Sequence, residues 1–208
     1  EAGSKEVNEK KEYLGKLIND LMIDKGYSQF DEEGNVISFN ESWEKVSDQD
    51  KLLISLLVAD ELSNNNQYSK KDFNSLDMKA VANKVFDMAD NGLINLGTSE
   101  NNYNTSPGLI ESIKNCITGE TFKPTLDISE SAMENPLTMA YSLIHEGTHA
   151  VDYESDWAQF FMENNKTTIN SISEINARIN ETVAFSQTLG NFVDIANSDK
   201  NNTMEVML

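Results

Sequence analysis

The sequence predicts an α+β domain that is predominantly helical and carries one small β-sheet. Apolar residues recur at spacings of three and four over much of the chain, cap and proline signals mark several helix starts, and one stretch, Thr121 to Ser129, alternates and carries β-branched residues. At 208 residues the chain can bury a single core. We expect one compact domain in which an N-terminal helical region, residues 1–100, packs on a core formed by residues 101–208.

The elements follow in order. Val7, Tyr13, Leu14, Leu17, Ile18, Leu21 and Met22 form one apolar stripe on a helix over residues 5–26. Asp31 to Asn35 reads as a turn with short extended pieces on either side, and Asn64 to Asn66 as an exposed loop. Ser47 caps a helix to about Leu62, and another covers roughly residues 75–90, ending at Asn91-Gly92. Asn101 to Asn104 is a further loop; Ser106-Pro107 then opens a helix to about Thr118. The stretch from Thr121 to Ser129 is a strand, placed at a sheet edge because Pro124 lacks an N–H for a ladder. Asn135-Pro136 opens the next helix, and Ser171 or Ser173 the last, which continues to about Ile195.

Composition excludes several function classes. A formal net charge of −19, from 35 acidic and 16 basic side chains, repels phosphate backbones and anionic lipids, so no nucleic-acid partner is expected. The longest apolar run, Leu52 to Ala59, is broken by Ser55 and far too short to span a bilayer, so no membrane insertion is expected. Cys116 is the only cysteine, which rules out a disulfide framework or a zinc–cysteine cluster; it reads as a small half-buried residue on an amphipathic helix. A chain that starts at Glu1 and not at methionine is expected to have lost an upstream segment, by processing or by design. An extracytoplasmic or secreted location is compatible with that, and the compartment stays open.

The chemistry concentrates at His145-Glu146-Gly147-Thr148-His149. On a helix, residues four apart share a face about 6 Å apart, so two imidazoles can converge on one tetrahedral zinc ion while the glutamate between them flanks the open position. Met139, Ala140, Leu143, Ile144, Gly147, Ala150 and Val151 fall on one arc of that helix. His145 and His149 fall on the opposite arc beside Tyr141 and Asp152, facing away from the expected core. Gly147 costs the helix about 1 kcal/mol relative to alanine and is tolerable where another element packs closely. The chain has only two histidines, and chance would space them four apart with this glutamate in roughly one sequence in a thousand of this composition.

Zinc needs a third protein ligand, and with both histidines used it must be a carboxylate. The candidates stand on the helical stretch Ser173 to Phe185, where Ile172, Ile175, Ile179, Val183, Leu189 and Val193 mark one side and Glu174, Arg178 and Glu181 line the flank. Glu174 and Glu181 are about 10 Å apart along the axis, so only one can reach a given ion. Asp152 lies too close on the histidine helix to close a tetrahedron and reads as a solvated carboxylate or one that supports a ligand.

With these residues the chain resembles the gluzincin-like members of the HExxH metallopeptidase superfamily, in which a glutamate on a downstream helix, within a Glu-x-x-Ala pattern, completes the metal site. The resemblance runs from Leu126 to Phe192 and implies a zincin-like metallopeptidase core with one Zn2+ per chain. Both Glu174 to Ala177 and Glu181 to Ala184 match the pattern. Glu174 is preferred as third ligand because it falls in the first turn of its expected helix, and because Glu-Ile-x-Ala followed by a second glutamate is similar to small bacterial members. Glu181 is the alternative; if Glu174 ligates, Glu181 pairs with Arg178 or orients a histidine. The resemblance also implies that Thr125 to Ser129 holds an extended peptide by β-addition. His149 to Asp152 resembles toxin-type metallopeptidases of Gram-positive bacteria. A metzincin pattern is excluded, because Ala150 to Asp156 lacks its glycine and third histidine.

The activity expected is therefore peptide-bond hydrolysis on a peptide or protein substrate, with Glu146 as general base and a tyrosine (Tyr103, Tyr141 or Tyr153) or Arg178 as oxyanion donor. The alternatives are a non-catalytic peptidase-like binding module and a secreted effector or toxin protease domain. A di-iron bundle would need a second Glu-x-x-His motif, and no histidine remains for it.

Overall fold

The structure, a computed structural model, describes residues 2–27, 30–35, 37–64, 74–98, 125–158 and 166–189. The expected helix from Ser106 with Cys116, the loop at Asn101 to Asn104, Tyr103, Pro124 and Val193 lie outside these residues.

The described chain is mostly helical with one small sheet. Helix α1 spans Ala2–Asp24 and buries Leu14, Ile18 and Met22, the centre of the expected stripe, while Tyr13 turns outward. The Asp31 turn forms: Gly34 takes a φ of +84°, and the Asp31 carboxylate accepts the Asn35 backbone N–H at 2.7 Å. Helix α2, Phe39–Glu44, was not anticipated, because six residues are too few for a periodic signal. Its marker is the capping box between Ser38 and Glu41, and its anchor is Trp43, whose Nε1 donates to the Met133 carbonyl at 2.8 Å. Helix α3, Asp48–Leu62, starts at the expected Ser47 cap, and α4, Met78–Asp90, is capped by Asp77 after a 3₁₀ turn at Asn74–Leu76.

The sheet has two parallel strands, β1 (Ile94–Thr98) and β2 (Leu126–Ser129), in register Ile94 with Leu126 and Leu96 with Ile128. Strand β1 went unread in the sequence: it is short and interrupted at Gly97, which sits at φ +70° where the ladder slips. Leu126 and Ile128 point into the core, and Asp127 between them accepts from Asn95 Nδ2 at 2.7 Å.

Helix α5, Pro136–Tyr153, is the central element. Asn135 caps it by accepting from the Leu137 N–H at 2.8 Å, with Pro136 in the first turn, as expected. Ala140, Tyr141 and Ile144 join an apolar cluster with α1 and α3. Met139, Leu143 and Ala150 join a second with α4 and the strands. Both clusters unite residues from either side of position 100.

Gly147 lets α4 approach: an added Cβ would lie 2.3 Å from Val85 Cγ2 and 3.1 Å from Val81 Cγ1. A β-branched side chain within a helix has little rotamer freedom to withdraw. We expect Gly147→Ala, despite its better helix propensity, to destabilise the protein by about 1–3 kcal/mol through overpacking, read as a lower urea midpoint with an unchanged slope.

Helix α6, Lys166–Leu189, corrects two expectations. It does not begin at Ser171 or Ser173, and Glu174 is therefore well inside it and not in its first turn. A serine caps a helix by bonding a nearby N–H, but the Ser173 hydroxyl is turned across to α5. The buried side of α6 is not its isoleucine side: Ile175 and Ile179 are 59% and 37% exposed, and Ser173, Asn176, Ala177, Asn180, Ala184 and Thr188 are buried. The reason lies in what α6 faces. His149 and Asp152 stand on the arc of α5 expected to look away from the core, with Thr148 buried beside them, and α6 covers that arc. Buried polar groups need hydrogen-bond partners, which amides and hydroxyls supply and isoleucines do not.

Candidate metal centre

The motif helix and α6 bring His145, His149 and Glu174 together. His149 Nε2 lies 3.2 Å from His145 Nε2, and Glu174 Oε2 lies 3.4 Å from His149 Nε2 and 3.7 Å from His145 Nε2. Zinc bonds of about 2.0–2.1 Å at tetrahedral angles separate ligand atoms by about 3.3–3.4 Å, so this triangle has the size of one tetrahedral face. Three ligands leave a fourth position open.

Glu181 holds a different place. Its Oε2 lies 3.1 Å from His145 Nδ1, on the side of the ring away from the triangle, and accepts from Arg178 Nη1 at 2.9 Å. Arg178 also donates from Nε to Glu174 Oε1 at 2.9 Å, which leaves Oε2 for the triangle. The guanidinium thus ties the two glutamates together. One carboxylate presents an oxygen to the imidazole Nε2 atoms, and the other fixes an imidazole from behind.

His149 is held through Nδ1, 2.7 Å from Ser173 Oγ. Sequence reasoning missed Ser173, Asn176, Asn180 and Ser75, which build the polar layer beneath the histidines. Asn180 Nδ2 donates to the Ser75 carbonyl at 2.6 Å and to Thr148 Oγ1 at 2.9 Å, and Asn176 Nδ2 donates to both Asp152 oxygens at 3.2 Å. The available signal was the spacing of Ser173, Asn176 and Asn180, a small polar stripe at helical period. Asp152 is fully buried, which overturns its reading as a solvated group. Burial raises its pKa, opposed by hydrogen bonds from Ser75, Asn176 and Ser173.

Electrostatics separate the two imidazoles. For His145, burial pulls the pKa down, but the Glu181 hydrogen bond and the charges of Glu146, Glu181 and Glu174 outweigh it and raise the value. For His149, burial and the positive charge of His145 push the pKa down to about 4. Glu146, half-buried beside the pair, is pushed up to about 7, mainly by burial and further by the charges of Glu174, Asp127 and Glu181. The Glu181 carboxyl, though burial opposes it, is held low by His145 and Arg178.

Of the proposed oxyanion donors, Tyr141 is a core residue. Its hydroxyl is paired with Thr188, its ring stacks on Phe185, and burial lifts its pKa to about 12. Arg178 is engaged by both glutamates. The Tyr153 ring lies against His149, centroids 6.1 Å apart, with its hydroxyl 3.4 Å from Asn170 Oδ1.

Compared with known proteins, the chain matches no family model, no curated protein and no solved structure. Functional inference rests on the chain's own side chains. Among the described helices none is long and apolar enough to cross a membrane.

Proposed function

We propose that the chain is a zinc-dependent peptidase with a zincin-like core and the gluzincin-like ligand set His145, His149 and Glu174. The observation that carries this reading is the convergence of Glu174 Oε2 and the two Nε2 atoms within 3.7 Å of one another. The donor set fits zinc: two imidazoles, one carboxylate oxygen and an open position. What zinc supplies there when bound is Lewis acidity toward a scissile carbonyl and a lowered pKa for water.

The chain's own residues do the rest. A carboxyl poised near neutrality accepts and releases protons readily, so Glu146 takes a proton from the attacking water and delivers it to the leaving amine. Glu181 and Arg178 hold His145 and Glu174 in place during turnover. Strand β2 directly precedes the 3₁₀ turn and α5, the position from which a strand can align an extended peptide by β-addition.

Metal analysis tests this directly. One zinc per chain is expected; two irons would favour a di-iron bundle, and no metal a binding module. Protons compete for the imidazoles, and His145, with its raised pKa, holds its proton longest as pH rises. Zinc affinity is therefore expected to strengthen as pH rises from about 6 to about 8, measured by chelator competition; a flat profile would count against imidazole ligation.

A further inference from the structure

We infer that Asn180 is a positioning residue of the metal centre: its side-chain amide locks α6 in register against the motif helix at the level where Glu174 meets the two histidines. The inference rests on the metal reading above, and its test tells failure of the one from failure of the other.

Helices α5 and α6 meet through a ladder of side-chain hydrogen bonds. Tyr141 is bonded to Thr188, His145 to Glu181, Thr148 to Asn180 and Asp152 to Asn176, so residue numbers rise along one helix as they fall along the other. Such a ladder fixes register more sharply than apolar packing does, because each donor has to meet its own acceptor. The Asn180 rung lies inside the site. Thr148 stands between His145 and His149 in the motif, and Asn180 between Glu174 and Glu181 on α6.

Donor counting leaves this rung one arrangement. Thr148 Oγ1 gives its single hydrogen to the Ile144 carbonyl at 2.7 Å, so toward Asn180 it can only accept. The Ser75 carbonyl can only accept as well. Asn180 therefore turns its NH2 group to both, at 2.9 Å and 2.6 Å, and both amide hydrogens are spent. One side chain, 1% exposed, thus fastens three segments: the motif helix, α6 and the 3₁₀ turn that precedes α4. Asn176, one turn earlier on α6, repeats the arrangement with Asp152 and Ser75 Oγ.

The consequence for the site is geometric. A slip of α6 by one residue moves Glu174 by about 1.5 Å along the axis. Its Oε2 stands 3.4 Å and 3.7 Å from the two Nε2 atoms, and a displacement of that size takes it out of the triangle that one small cation can span. The bonds of Arg178 to Glu174 and Glu181 lie wholly within α6 and cannot set its register. Asn180 can, because its partners are on other elements.

A matched pair of substitutions tests this. Thr148→Val and Thr188→Val each remove one fully buried hydroxyl from the same α5–α6 contact, and only the first breaks the Asn180 rung. Zinc affinity is read by chelator competition and stability by the urea midpoint. Both variants are expected to lower the midpoint. Thr148→Val and Asn180→Ala weaken zinc by about 10–100-fold, whereas Thr188→Val and Thr148→Ser, which keeps the hydroxyl, hold parental affinity. Equal weakening in Thr148→Val and Thr188→Val would reduce the Asn180 rung to one buried hydrogen bond among several and overturn the inference, as would a folded Thr148→Val of parental affinity. If Asn180→Ala does not fold, the threonine pair decides. A parent that binds no zinc removes the metal reading and this inference with it; a zinc-binding parent indifferent to Thr148→Val removes the inference alone.

Discussion

Glu146→Gln is expected to retain one zinc per chain and to lose peptide cleavage by about a hundredfold to ten-thousandfold, the range a positioned general base contributes. Glutamine keeps the shape and the helix but has no carboxylate to accept a proton. The proposed ligands are untouched, since Glu146 contributes no atom to the triangle. Burial already holds the Glu146 carboxyl near pH 7, so the substitution also removes a group that is costly to ionise there. Its folded pKa is raised above the ordinary value of 4.5, so in the zinc-stripped protein it withdraws stability as pH climbs from about 4.5 toward 7. The glutamine variant should lose that part of the pH dependence. Zinc content by elemental analysis and cleavage of a peptide library by mass spectrometry measure the two outcomes. Cleavage at the parental rate would show that another group is the base.

The second large effect separates the two glutamates of α6. If the proposed ligand set is right, Glu174→Ala removes one of its three atoms and is expected to weaken zinc by more than the roughly 10–100-fold typical of a supporting residue, with cleavage lost alongside. Glu181→Ala removes the acceptor from His145 Nδ1 and one partner of Arg178, and should fall within that 10–100-fold range. The difference follows from which atoms face which. Glu174 Oε2 lies against both Nε2 atoms, and Glu181 Oε2 lies behind the His145 ring. Chelator competition on both variants gives the order directly. The opposite ranking would make Glu181 the ligand and Glu174 its neighbour.

Much of this arrangement is legible in the chain. The Ser47 and Asn135-Pro136 helix starts, the α1 stripe, the strand before the motif helix and the pairing of two histidines four apart are all local, and local backbone preference and periodicity report them. Glu174 does lie beside the two histidines, but the reason first offered for preferring it does not hold. Glu174 reaches the histidines because α6 lies across α5 at that level, not because it opens a helix. Helix α2 and strand β1 escaped notice because neither is long enough to show a period.

The amino-acid sequence by itself determined that a helix would carry two imidazoles and a carboxylate, since helical spacing is a property of neighbouring residues. Only the tertiary structure decided which face of α6 is buried, and with it the roles of Ser173, Asp152 and Glu181. Apolar patterning points a helix toward a hydrophobic core, whereas α6 packs on the polar arc of α5, where unmet hydrogen bonds outweigh exposed isoleucines. That outcome depends on which groups another segment of the chain leaves unsatisfied, which no periodicity within α6 encodes.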